Sequence, residues 1–217
     1  MLATPGRLPE GPQWRYEVRW AGLRVLTEII NGTLRLNSPT GQDVTAHFPE
    51  FAGLAGLVGD GLFDGKVIVL DAGVPSSTAL ADRMAVNGSR RAQRSRRRPG
   101  VLMVFDILRL YGVPLLHRPL DERRATLDRV GVDAAECVAL SPVYDDGPAL
   151  LSATRSQRLA GVVAKRRDAP YRPGVRDPSW VTVAHDRYPA VAPHPSADGI
   201  HRGALRGDGE GSVGIGC

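Results

Sequence analysis

The dipeptide Asn31-Gly32, set between "LRVLTEII" and "TLRLNS", constrains the fold more than any other feature of the chain. A two-residue hairpin turn needs φ > 0 at both central positions, which asparagine and glycine tolerate and β-branched residues do not. Two antiparallel strands follow from it. Downstream, "FPEFAGLAGLV" at 48–58 reads as a short helix, and "GLFDGKVIVLD" as a buried strand entered through a glycine-containing turn. A serine cap and apolar spacing in "SSTALADRMAV" predict a helix over about 76–86. "VLMVFDILRL" is the most apolar run and predicts a central strand, while "RPLDERRATLDRV" places Pro119 and three acids near a helix start. "ECVALSPV", "AGVVAKRR" and "SWVTVAH" read as strands and "GPALLSATRSQR" as a helix. Hairpins interleaved with helices predict an α+β domain with mainly antiparallel sheets and packed helices.

A chain of 217 residues with 42% hydrophobic content can bury one sizeable core, expected over residues 1–185. Residues 186–217 are rich in glycine and proline without periodicity, and read as a disordered tail. The net charge of +5 is local: residues 90–98, "RRAQRSRRR", carry six arginines and no acid, leaving 22 basic against 23 acidic residues elsewhere. Arg90, Arg91, Arg94, Arg96, Arg97 and Arg98, on a basic loop over 88–99, are therefore candidates for phosphate contact, with a solvated loop as the competing reading. No segment approaches the roughly 20 apolar residues that span a bilayer, and the first residues carry no apolar leader, so a soluble, cytoplasmic protein without a membrane partner is expected. Cys137 and Cys217 give neither a disulfide framework nor a metal cluster, and no metal-ligand set is expected. Of the 28 basic residues, only Lys66 and Lys165 are lysines.

That scarcity bears on "EVRWAGLR", residues 17–24, which has the frame of a nucleotidyl-transfer motif, E-x-K-x-D-G-x-R, with Arg19 in the lysine position. It is followed in order by "NSPTGQDVT" (37–45), "FDGKV" (63–67), "VFDIL" (104–108), "AGVVAKRRDAPYRPGVR" (160–176) and "SWVTVAH" (179–185). Together these segments, over roughly residues 8–185, resemble the adenylation domain of ATP-dependent DNA ligases, with the similarity closest to the ligase module of bacterial end-joining enzymes. The resemblance implies a nucleotidyltransferase fold, ATP and Mg2+ as cofactors, and a lysine that attacks the α-phosphorus of ATP before AMP passes to a 5′-phosphate at a DNA nick. It implies DNA and repair proteins as partners. The roughly 32 residues after His185 are too few for the OB-fold that accompanies this domain in the family, so none is expected here.

The departures from the family pattern fall where chemistry is done. A guanidinium is not deprotonated in proteins, so Arg19 can hold a phosphate but cannot attack one. Ala21 replaces the acid of the first motif, Lys66 the glutamate after Asp64-Gly65, Ala160 the glutamate that helps hold the metal, and Thr182 and Ala184 the two lysines that grip the α-phosphate. Glu17, Gly22, Arg24, Asp64, Gly65, Phe105, Lys165, Tyr171, Gly174, Arg176 and Trp180 persist. Of these, Glu17, Arg24, Phe105 and Lys165, with Lys66, are the nucleotide-pocket candidates, and Arg176 joins the phosphate candidates. Each retained residue has a structural reading beside the functional one: Gly22 and Gly65 in turns, Asp64 capping a turn, Phe105 and Trp180 in the core. The expected function is a catalytically inactive ligase homologue that binds DNA or a repair partner. Two alternatives stand: ligase chemistry through a displaced nucleophile such as Lys66, whose pKa a neighbouring Arg19 would lower, or a non-functional or scaffold paralogue.

Overall fold

The computed structural model describes residues 1–85 and 97–185. In chain order the elements are β1 (Leu2–Pro5), β2 (Trp14–Val18), β3 (Leu23–Ile30), β4 (Thr33–Asn37), α1 (Leu54–Leu57), β5 (Gly61–Asp71), β6 (Val74–Pro75) and α2 (Ser77–Met84). After the segment outside the description come β7 (Gly100–Leu110), β8 (Val113–Pro114), α3 (Leu120–Val130), β9 (Val138–Leu140), β10 (Val143–Tyr144), α4 (Gly147–Ser156), β11 (Gly161–Arg166) and β12 (Arg176–Ala184). They build two sheets. The first runs β1-β12-β11-β2-β10 and the second β4-β3-β5-β7-β8, with β6 added to β5 and β9 to β7. Most pairings are antiparallel, as expected, but β1 lies parallel to β12 and β9 parallel to β7. Local residue patterns carry no sign of either parallel contact.

The hairpin forms as its turn chemistry dictates: Asn31 (φ 50°) and Gly32 (φ 71°) are both left-handed, and Ile30 faces Thr33 across the turn. The helix expected at 48–58 is broken. Two 3-10 turns, Thr45–His47 and Pro49–Phe51, precede a single α-helical turn at α1. Pro49 supplies no N–H, and Gly53 and Gly56 weaken whatever helix could follow. The apolar side chains reach the core all the same: Phe48, Phe51, Leu54 and Val58 are buried against Val25, Ile29, Val67 and Leu102 on the outer face of the second sheet. In α2 the Ser76 hydroxyl accepts from the Ala79 N–H at 3.2 Å, the cap read from sequence. Pro119 directly precedes α3, whose first turn holds Asp121 and Glu122; Asp128 sits beyond that turn, and left-handed Gly131 (φ 69°) ends the helix. "ECVALSPV" is not one strand but two, β9 and β10, which part company at Ser141 and join different sheets.

α4 covers the outer face of the first sheet, where Tyr16, Val18, Val162 and Ala164 pack with Leu150. A third cluster lies between the sheets: Leu26, Leu62, Phe105 and Leu108 from the second sheet meet Trp180 from the first, with Met1, Leu116 and Tyr171. Each such buried side chain contributes roughly 1.5–3 kcal/mol. Two arginines of α3 point inward rather than to water. Arg123 grips Asp106 of β7 with two 2.8 Å bonds, both residues fully buried, and Arg124 donates to the Phe105 and Ser141 carbonyls. These bonds fix α3 to the strand that carries Phe105. Among the described residues no helix is long and apolar enough to cross a membrane.

Candidate functional site

Strand alternation decides which side chains enter the space between the sheets. In the first sheet Glu17 pairs with Val163, Val163 with Thr182, and Lys165 with Trp180, so Glu17, Lys165, Trp180 and Thr182 share one face. Tyr16, Val18, Val162 and Ala164 share the opposite face, under α4. Arg19 continues the β2 pairing through its N–H to the Gly161 carbonyl (2.8 Å), which gives it the same face as Glu17. In the second sheet Arg24 is the cross-strand partner of Lys66, and Leu26 of Asp64. All five nucleotide-pocket candidates, Glu17, Arg24, Lys66, Phe105 and Lys165, therefore converge between the sheets, with Arg19 beside them.

Two glycines of the motifs are there for close approach. A Cβ on Gly22 would lie 2.3 Å from the Val67 carbonyl oxygen, and one on Gly161 would lie 2.0 Å from the Val183 carbonyl, at φ 128°. Gly22 is thus what lets the chain after the first motif press against β5 and bring Trp20 over Lys66.

The retained acids are occupied by retained cations. Lys165 Nζ donates to Glu17 at 2.6 Å, both side chains nearly inaccessible, and the same ammonium sits 4.4 Å from the Phe105 ring centroid and 4.5 Å from that of Trp180. Arg24 binds Asp64 through two bonds of 3.0 and 2.5 Å, and Tyr171 Oη donates to the same carboxylate at 2.8 Å. Asp64 is accordingly no turn cap. It lies inside β5, fully buried, and closes a network with Arg24 and Tyr171. Burial would raise its pKa, but the adjoining Arg24 guanidinium wins and holds it below the usual carboxylate range. Burial first, then Asp64, pushes the Tyr171 hydroxyl well up. Lys165 is driven down by burial, with Glu17 opposing that shift. Phe105 is 8% exposed, and Trp180 meets its ring edge-on at 6.2 Å, so it serves the inter-sheet core.

The substituted positions behave differently. Arg19 Nη1 donates to the Ala160 carbonyl at 3.3 Å, and burial lowers its pKa. Lys66 Nζ donates to the Trp20 carbonyl at 2.8 Å. Burial, with the positive charges of Arg19 and Arg24 adding to it and Asp64 opposing, pushes the Lys66 ammonium down to about 8. Thr182 Oγ1 and Trp180 Nε1, on β12, are buried without a hydrogen-bond partner among the described residues. Against a magnesium-bound nucleotide this set fits poorly. Both carboxylates are already held by cations, Glu17 by buried Lys165 and Asp64 by half-buried Arg24, alanine stands at positions 21 and 160, and among the described residues no three His, Cys, Asp or Glu side chains gather.

The phosphate candidates are dispersed. Arg90, Arg91, Arg94 and Arg96 lie outside the described residues. Arg97 and Arg98 are exposed, and Arg98 pairs with Asp71 at 3.3 Å. Both line a cleft of about 240 Å³ with Asp82 and Arg83. Arg83 is buried and holds Glu50 through two bonds of 2.7 and 2.8 Å, an anchor that its place in an amphipathic helix did not announce. Arg176, at the start of β12, donates to the Ala3 carbonyl and helps fasten β1.

A family model described as the ATP dependent DNA ligase domain matches residues 6–183. Among curated proteins, the chain is 34% identical over 186 residues to the multifunctional non-homologous end joining protein LigD of Mycolicibacterium smegmatis, covering 83% of this chain and 23% of that protein. It is 26% identical over 177 residues to the SPbeta prophage-derived DNA ligase-like protein LigB of Bacillus subtilis, covering 81% of this chain and 62% of that one. The chain thus spans about a quarter of the LigD length. Among solved structures, the ligase domain of LigD from M. tuberculosis superposes with a TM-score of 0.71 at 34% identity, covering 85% of this chain and 58% of that one. A mycobacterial DNA ligase D complexed with ATP and MES gives a TM-score of 0.72 at 34% identity, covering 85% and 59%.

Proposed function

The chain belongs to the ATP-dependent DNA ligase family, and from that membership we propose that it is a non-catalytic member which binds DNA ends or a repair partner. One observation carries the reading. The side chain in the nucleophile's position is a guanidinium that stays protonated and is bonded to the Ala160 carbonyl at the place where the family's metal-holding glutamate belongs. Around it, Glu17 and Asp64 neutralise Lys165 and Arg24 instead of facing a nucleotide-bound cation. These retained pairs tie neighbouring strands, β2 to β11 in the first sheet and β3 to β5 in the second, and Lys165 reaches across to the Phe105 ring. LigD relatives are named as end-joining proteins, which supports DNA ends and repair proteins as the partners.

The test is incubation of the purified protein with α-labelled ATP and Mg2+ or Mn2+, followed by denaturing mass analysis. The unmodified mass is expected. A covalent AMP addition would overturn the reading. A second reading is favoured by Lys66, whose ammonium is pushed down to about 8 and bonds the Trp20 carbonyl, whereas Lys165 is locked to the Glu17 carboxylate. On that reading an adduct forms and Lys66→Ala abolishes it. DNA binding is measured separately, by titrating nicked duplex at rising salt. Arginine–phosphate contacts release counterions, so affinity should fall steeply between 50 and 200 mM salt, by about 10³-fold if some six phosphates are neutralised.

A further inference from the structure

We propose that the outer face of the first sheet, at the start of α4, is a docking surface for an arginine-bearing segment of a partner protein. It gives the repair partner of the proposed function a place on the molecule, and rests on that reading in this respect alone.

A cleft of about 520 Å³ opens there, walled by Pro12, Trp14, Tyr16 and Pro148. The alternation that sends Glu17 and Lys165 between the sheets sends Trp14 and Tyr16 to the opposite side, so the sheet itself separates this cleft from the nucleotide-pocket candidates. Tyr144 of β10 is the cross-strand partner of Tyr16 and shares its face, yet it is 40% exposed where Tyr16 is 2% exposed. β10 ends the sheet. An aromatic row thus begins in the packing under α4 and finishes in solvent at the sheet edge, the arrangement of an anchor awaiting a partner.

The cleft is built before anything enters it. Arg167 donates through its backbone N–H to the Gln13 carbonyl at 3.0 Å and through Nη1 to the Pro12 carbonyl at 3.1 Å, and Tyr16 Oη donates to the Pro9 carbonyl at 2.9 Å. These bonds pin the chain before β2. A Cβ on Gly147 would lie 2.4 Å from the Tyr16 ring, so α4 starts directly against it. A preformed surface loses little ordering entropy when a partner arrives.

Charge selects the occupant. Of the three acids lining the cleft, Asp145 is paired with Arg15 at 3.1 Å and with Arg167 at 3.8 Å. Glu10 has no ion pair among the described residues, and Asp146 spends one oxygen on the Ala149 N–H, capping α4. Burial, then Glu10 and Asp146, push the Tyr16 hydroxyl up, so both carboxylates lie close to the same ring. Two unpaired negative charges beside aromatic rings repel phosphate. They suit a guanidinium, whose plane stacks on a ring while its fork of N–H groups meets carboxylates, better than an ammonium, which is a hydrated point charge.

The experiment titrates the full chain into a fluorescein-labelled hexa-arginine peptide, with a hexa-lysine peptide for comparison, and reads anisotropy. The arginine peptide is expected to bind about tenfold more tightly. Glu10→Gln with Asp146→Asn should weaken its binding at least about tenfold, asparagine keeping the helix cap, and Tyr144→Ser should weaken it about threefold. Folding is checked by circular dichroism. Asp133→Asn with Glu136→Gln, exposed acids between α3 and β9, should change nothing. Equal binding of the two peptides, or equal losses in the two double variants, would reduce the attraction to net charge and overturn the docking surface. Self-association of the protein alone, abolished by the Glu10 and Asp146 changes, would make the occupant a second copy and overturn the assignment to a partner. Nicked duplex is titrated separately and should bind the cleft variant as it binds the parent. If neither binds duplex, the DNA-binding function fails while the peptide result stands.

Discussion

Breaking the Glu17–Lys165 pair should reveal how far the retained motif residues stabilise the first sheet, in which β2 and β11 are neighbours, and its packing on Phe105 of the second. The pair spans β2 and β11, is 2.6 Å long, and is 2–3% exposed at both residues. Removing one partner of such a pair costs about 3–5 kcal/mol, because the other charge stays buried alone. The two halves are not equivalent. Glu17→Gln leaves Lys165 between Phe105 and Trp180, whose ring faces at 4.4 and 4.5 Å recover about 1–2 kcal/mol of cation–π attraction, so a net loss of about 2–3 kcal/mol is expected. Lys165→Met keeps the volume but strands the Glu17 carboxylate and forfeits the cation–π contacts, so the full ~3–5 kcal/mol applies. The double variant should be more stable than Lys165→Met alone, since it no longer buries a lone charge. Urea unfolding of the four proteins gives the cycle, and in a domain of this size each kcal/mol lowers Tm by about 2–4 °C. Single losses below about 1 kcal/mol that simply add would refute the reasoning, because they would mean that water reaches the pair and the first sheet does not depend on it.

Lys66 makes stability pH-dependent. Its folded pKa of about 8 lies below the ordinary value near 10.4, so between these pH values the unfolded chain holds a proton that the folded protein has lost. Stability should therefore rise from about pH 8 to about pH 10.4, by at most roughly 3 kcal/mol, and be lost again as pH falls through 8. Urea midpoints across this range should show the rise in the parent and a flatter profile in Lys66→Met; equal slopes would refute the assignment. Gly22→Ala places a methyl 2.3 Å from the Val67 carbonyl and should cost about 1–3 kcal/mol in thermal unfolding, with a neutral result showing that the contact is not close. Arg19→Lys alone should yield no AMP adduct by mass analysis, since Ala21, Lys66, Ala160, Thr182 and Ala184 remain; a robust adduct would mean that those substitutions do not block the chemistry.

Much of the fold was legible because it was local. Asn31-Gly32 dictates its hairpin, Ser76 caps its helix, and the run containing Phe105 is apolar enough to be a central strand whatever surrounds it. The parallel placements of β1 and β9 were not legible, since a parallel partner is chosen by tertiary packing and leaves no turn signature. Nor was the division of "ECVALSPV" between two sheets. At the site, the residue types were readable and their pairing was not. Glu17 and Lys165 lie 148 positions apart, and Asp64, which suits a turn cap by composition, meets Arg24 only because β3 and β5 are neighbours. The lowered pKa of Lys66 was foreseeable from its nearness to Arg19, though burial turned out to be the larger cause.

The pairing of β1 with β12 also has a mechanical side. The two strands run in the same direction, Leu2 beside Arg176 and Pro5 beside Thr182, with Leu2 N–H bonded to the Val175 carbonyl and Gly6 N–H to that of Thr182. Tension entering through β1 and leaving through β12 would slide the strands along each other, loading their bonds together instead of peeling them one at a time. A domain strung between neighbours on a DNA end, pulled along that line, should resist extension far better than one pulled from the Asn31 hairpin. Single-molecule stretching along the two directions would reveal the difference as a higher rupture force for the first.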